Sequence, residues 1–149
     1  MWIPTIEDLE TYYQSLQKAY PKLRTERLMK RDSLEAILDL VKHGKPMLKP
    51  TIIQRATTLL FDLLMEHCYS DGNKRIGFLS SAVFLSKNGF SFSINDQELI
   101  QFVFDIASGK YLFKDVEKII EQNIVKQDVD FTVLEIIDRY NDVMVALGE

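Results

Sequence analysis

Nine consecutive residues, His67-Cys68-Tyr69-Ser70-Asp71-Gly72-Asn73-Lys74-Arg75, gather a histidine, a carboxylate, a glycine, a carboxamide and two cations. Each type has a use if the segment meets a phosphate-bearing molecule. Gly72 permits a tight turn just ahead of a helix start, and the outward amides and positive dipole end of such a start form an anion site. Lys74 and Arg75 add positive charge where acidic side chains would suit the dipole better, so an anion between them gives that placement a purpose. Asp71 is a candidate magnesium ligand, because magnesium commonly takes only one or two protein carboxylates and draws its other ligands from phosphate and water. Asn73 can hydrogen-bond a phosphate oxygen or fix the loop. His67, on the rim, can take the proton of an attacking hydroxyl as a neutral imidazole. Tyr69 alternates with His67 and should point inward as an anchor.

Two helices must carry this segment. Ile52, Ile53, Ala56, Leu59, Leu60, Leu63 and Leu64 recur at steps of three and four, which predicts a helix from Thr51 up to Glu66 and His67. A second apolar helix is expected over Ile76 to Lys87, stopped by Asn88-Gly89, and the two form a central hairpin. Ahead of them, Thr5 with Asp8 should open a first helix, and Asp32 with Glu35 a second. The segment from His43 to Pro50 holds a glycine and two prolines and reads as a loop or short flap. Asn95 with Glu98 caps a further helix, and Ser108-Gly109 separates it from a sixth containing Val116, Ile119 and Ile120. In the tail, Thr132 and Glu135 open one helix whose stripe runs Val133, Ile136, Ile137, Tyr140, Val143, Met144, Leu147. That stripe must be buried, against its own domain or, in a sharper reading, against a second copy or a regulatory protein. The organisation expected is all-α: a domain over residues 1–124 and a helical extension over 125–149.

Composition excludes several classes. A chain of 149 residues, 46% hydrophobic and 27% charged, is an ordinary single-domain balance. Folding should bury roughly two thirds of the unfolded surface, enough to need neither metal nor disulfide. With 18 basic against 22 acidic side chains the net charge is −4, the wrong sign for a general nucleic-acid binder. Neither a signal peptide nor an apolar run of membrane-spanning length is evident, and the single cysteine, Cys68, fits a reducing, cytoplasmic setting.

The segment from His67 to Arg75 closely resembles the Fic/Doc signature, His-x-Phe-x-Asp/Glu-Gly/Ala-Asn-Gly/Lys-Arg, with Tyr69 in place of the usual phenylalanine. Phe84 to Gly89, Asp32 to Ile37 and Ala107-Ser108-Gly109 look like the corresponding parts of Doc-type (death-on-curing) proteins, so the resemblance covers about residues 1–124. It implies a helical Fic/Doc bundle with a central hairpin and a flap at 43–50 that pairs with the target backbone. It implies His67 as general base, Asp71 as magnesium ligand, and Gly72, Asn73, Lys74 and Arg75 as the phosphate cradle. Lys74 stands where adenylylating Fic proteins have a second glycine, and Phe78 where they have a second arginine. Both changes are shared with Doc toxins, and they lean the reading toward transfer of the terminal phosphate of ATP to a hydroxyl of a target protein, a translation component being the candidate. Gly72, in contrast, is more Fic-like than the alanine of Doc.

The alternatives are adenylylation by the same groups, or a catalytically idle fold that only binds. Cys68 has nothing nearby to activate it and reads as a packed thiol, and His43 as a solvated loop residue. These residues make no convincing zinc site. Lys110 and Lys114 could face the site or merely solvate a helix start. The family's inhibitory pattern, Ser/Thr-x-x-x-Glu-Gly/Asn, is not found; Thr132 to Glu135 is one residue too short. A separate antitoxin is therefore the expected regulator, with a homodimer through the C-terminal helix as a further expectation.

Overall fold

A computed structural model describes residues 1–22, 30–44 and 49–148. Its helix starts are set by side chains that close the first turn. Helix α1 (Ile6–Ala19) opens on Thr5, which accepts from the Asp8 amide while Asp8 accepts from the Thr5 amide. Helix α3 (Ile52–Glu66) opens on the same box made by Thr51 and Gln54. Helix α2 (Arg31–His43) departs from expectation: it has no side-chain cap, and Glu35 accepts from Arg31 Nε instead of closing a box with Asp32. The helix starts at Arg31, and Lys30, its N-cap, is held by the chain at the end of α3, as described below.

Helix α4 (Asn73–Lys87) begins three residues before the apolar pattern announces it, since its first turn carries the polar residues of the motif. Every residue from Arg75 to Ser86 is buried, so α4 is the axis of the bundle and presents no amphipathic stripe. It packs chiefly on α3. Gly77 lets the two approach, for a Cβ there would meet the Leu60 carbonyl at 3.4 Å, and Ser81 Oγ donates to the Ala56 carbonyl at 3.1 Å. The left-handed stop at Gly89 (φ 87°) is as expected.

Strand β1 (Phe90–Phe92) then pairs antiparallel with β2 (Ile124–Lys126), Ser91 opposite Val125. This ribbon was not foreseen, because three-residue strands are too short for alternation to show. Between the strands lie α5 (Asp96–Ala107), capped by Asn95, and α6 (Phe113–Gln122), which completes the six expected helices.

Beyond β2 the tail forms α7 (Val133–Arg139), with the expected Thr132–Glu135 box, and α8 (Asn141–Leu147). The single helix expected here is kinked at Tyr140 (φ −102°, ψ 26°), whose ring packs edge-on against Phe78 at 5.1 Å. No proline or glycine marks the position, so the kink is a packing effect. The bland reading of the tail is the observed one: Ile136, Ile137, Tyr140, Val143, Met144 and Leu147 join the same core as the preceding helices. The members of that stripe from Ile136 to Leu147 are thus covered by their own chain, and Val133 is partly buried beside them. Among the described residues no helix is long and apolar enough to cross a membrane.

Candidate active site

Helix α3 ends at His67, which is exposed and sits in the left-handed region (φ 49°, ψ 53°). It is the only non-glycine with positive φ among the described residues. Such a conformation costs on the order of 1–2 kcal/mol and persists where neighbours impose it. One residue imposes it here: the Lys30 amide donates to the Cys68 carbonyl at 3.1 Å and Lys30 Nζ to the Glu66 carbonyl at 3.0 Å, so the carbonyls on both sides of His67 are held.

The loop that follows is closed from inside. Tyr69 is buried, as expected of an anchor, and its ring lies parallel to Tyr13 at 4.5 Å. Tyr13 donates its hydroxyl to the Asp71 carbonyl at 2.8 Å. Asn73 accepts from the Tyr69 amide at 3.1 Å and donates to the Tyr69 carbonyl at 2.7 Å, so of its two proposed uses the structure displays the loop-fixing one. Asp71 Oδ1 accepts from the Gly72 amide at 2.9 Å. Gly72 takes the left-handed conformation (φ 78°, ψ 18°) and α4 departs with no side-chain cap and no acidic residue in its first turn.

That uncapped start opens into a cavity of about 640 Å³, within the roughly 300–1,000 Å³ of small-molecule sites. All six motif residues expected at the site, His67, Asp71, Gly72, Asn73, Lys74 and Arg75, line it together. Lys74 Nζ lies 5.7 Å from the centre of the Phe104 ring on α5. Arg75 is only 8% exposed; it donates Nε to the Met144 carbonyl at 2.7 Å and lays its guanidinium 4.5 Å over the Tyr20 ring. Burial lowers its pKa, an effect that Tyr20 and Asp71 oppose, and an arginine remains charged under such a shift.

The contact with Met144 qualifies one expectation. Two cations in the first turn of α4 were read as a call for an external anion, but the carbonyl end of α8 already offers Arg75 a favourable dipole. Lys74 has no such carbonyl partner among the described residues, and an external anion still gives its placement a purpose.

Two further walls were not legible in the sequence. Tyr20, Pro21 and Lys22 follow α1, and Val145, Leu147 and Gly148 close the far side. Lys110 pairs with Asp105 at 3.4 Å and Lys114 lines a separate groove between α3 and α6, so neither lines the cavity. Cys68 is fully buried and its thiol is pushed up by burial, which makes it a poor nucleophile. His43 is exposed beside Asp39 at the end of α2. The tip of the expected flap, residues 45–48, lies outside the described residues.

The donor set suits a metal held jointly with phosphate. Among the described residues Asp71 is the one carboxylate lining the cavity, and no group of three histidine, cysteine, aspartate or glutamate side chains is placed to hold an ion unaided. One carboxylate beside an amide cradle matches the way magnesium accompanies phosphates.

A family model described as Fic/DOC family matches residues 5–85, which hold α1 to α3, the loop and most of α4. The chain belongs to the Fic/DOC family. Comparison with curated proteins gave no significant match. The helical architecture with its central α3–α4 hairpin is that of a Fic/DOC protein, and the segment His67 to Arg75 lies wholly inside the match. The second wall of the cavity, from α8, lies outside it.

Proposed function

We propose that this Fic/DOC protein transfers the terminal phosphate of ATP to a hydroxyl of a target protein. The observation that carries the reading is the uncapped start of α4, which opens with Lys74 and Arg75 into a cavity rimmed by His67. Donor phosphates lie against the first-turn amides and the cations, an arrangement that is preorganised for the charge of the reaction. His67 accepts the proton of the target hydroxyl, whose oxygen attacks the terminal phosphorus; the bond from that phosphorus to the bridging oxygen breaks and ADP leaves. Magnesium, when bound, neutralises phosphate charge, and Asp71 is the residue to hold it. The Lys30 clamp and the Tyr13–Tyr69 stack keep His67 and the cradle in register.

Phosphoryl transfer is favoured over adenylyl transfer by Phe78, which packs between Phe92 and Tyr140 and supplies no second cation one turn beyond Arg75. In this reading the protein is a cytoplasmic toxin held by a separate antitoxin, acting on a translation component. The test is parallel labelling of a cell lysate with purified protein, magnesium and ATP labelled at the alpha or the gamma phosphate, with His67→Ala as control. His67-dependent label from gamma alone supports the proposal. Label from alpha replaces it with adenylylation, and no dependent label from either sinks both in favour of a binding module.

A further inference from the structure

Arg75 is held at three of its sides. Its Nε–H is spent on the Met144 carbonyl at 2.7 Å, and one face of the guanidinium is covered by Tyr20 at 4.5 Å. Tyr20 is itself tied to α8, donating its hydroxyl to Asn141 Oδ1 at 2.8 Å. On the third side stands Gly148, where an added Cβ would overlap Nη2 and Cζ. Among the described residues no hydrogen bond engages the Nη groups, and Arg75 lines the cavity.

We infer that the last turn of α8, Met144 to Gly148, is a positioning element of the anion site, seating Arg75 so that its Nη edge meets the donor's phosphates. The inference rests on the phosphate-donor reading above. A guanidinium has five donors in a rigid fork, and fixing Nε and one face leaves the outer edge, the one that binds phosphate through two parallel hydrogen bonds. Without a seat, a long arginine would lose rotamer freedom on binding; the seat removes that cost beforehand. Gly148 serves this by lacking a side chain. Its backbone is ordinary right-handed (φ −80°, ψ −7°), so the glycine is needed for room beside Arg75 and not for its conformation. The functional unit therefore runs from α1 through residue 148, past the end of the family match.

The decisive variant is Gly148→Ala, which the backbone accepts and only Arg75 must yield to. Isothermal titration with magnesium-ATP, and with inorganic triphosphate plus magnesium, is run on the wild type, Gly148→Ala, Arg75→Ala and the double variant. The expected result is about tenfold weaker binding for Gly148→Ala at an unchanged melting temperature, with the double variant no weaker than Arg75→Ala alone. Gly148→Ala binding as tightly as the wild type, or two losses that multiply independently, overturns the inference while leaving the phosphate-donor reading intact. A wild type that binds neither probe ends that reading and the inference with it. If Gly148→Ala melts early, Tyr20→Leu tests the seat from the opposite face and should show the same lack of additivity with Arg75→Ala; independent losses there overturn the inference equally.

Discussion

Asn73 and Tyr69 are joined by two hydrogen bonds that run in opposite directions between one carboxamide and one residue's main chain, at 3.1 Å and 2.7 Å. A side chain at the head of α4 thereby fixes the loop that leaves His67. Asn73→Ala leaves a partly buried amide and carbonyl unpaired, at a cost of about 1–3 kcal/mol. Asn73→Asp keeps the acceptor but sets a carboxylate oxygen against the Tyr69 carbonyl, and should be no better. Urea denaturation of both variants checks this; wild-type stability in Asn73→Ala would mean that the loop is held without the carboxamide.

Tyr69 carries a buried hydroxyl that finds no partner among the described residues. The stack on Tyr13 depends on the ring and not on the oxygen, so Tyr69→Phe should keep activity and leave stability unchanged or raise it by up to about 1 kcal/mol. Tyr69→Ala, which empties a core position, should cost about 3–5 kcal/mol. A Tyr69→Phe variant clearly less stable than the wild type would show that the hydroxyl has a partner after all.

Lys30 should matter more to turnover than to folding. It is exposed, and a cation on helix-end carbonyls contributes only about 0.3–1 kcal/mol, yet its ammonium and its amide bracket the left-handed turn of His67. Lys30→Met should melt within a few degrees of the wild type and lose most of its kcat with little change in KM for ATP. Lys30→Arg should restore part of the rate. A raised KM at constant kcat would instead place Lys30 in donor binding.

The buried tyrosines set an alkaline limit on the fold. Burial raises the pKa of Tyr12, Tyr69 and Tyr140 above the ordinary 10.0. Below about pH 9 neither folded nor unfolded chain ionises them, so they exert no pull on stability there. As the pH climbs past 10 the unfolded chain releases protons that the folded chain keeps, and stability falls by up to about 1.4 kcal/mol per pH unit for each tyrosine. Urea midpoints measured from about pH 8 to about pH 11 should decline only in the upper part of that range, and less steeply in Tyr12→Phe. A decline already steep between about pH 8 and about pH 9 would have to come from other groups.

Much of this was legible in the chain. Where a hydroxyl or carboxamide closes a first turn, as at Thr5, Thr51, Asn95 and Thr132, local chemistry alone starts the helix. The motif residues converge because six of its nine positions lie between the ends of α3 and α4 and the other three form the first turn of α4, so proximity in sequence becomes proximity in space. What the sequence does not show depends on distant partners. Tyr13, Tyr20 and Lys30 look like a core tyrosine, a surface tyrosine and a solvated lysine until α1 and α2 are laid beside the loop. Gly148 reads as a trailing glycine until Arg75 is found against it. The kink at Tyr140 likewise answers to Phe78, sixty-two residues away, and no local rule could announce it.

An axis buried on every side cannot be retuned piecemeal: a new side chain almost anywhere between Arg75 and Ser86 disturbs packing in several directions at once. Diversification of the binding cavity is therefore channelled to the parts of its other walls that meet solvent, Pro21 and Lys22 after α1 and Val145 in α8. Libraries that leave α4 untouched and vary Pro21, Lys22 and Val145 should yield folded proteins with altered ligand preference, while libraries of equal size on the axis should yield mostly insoluble chains.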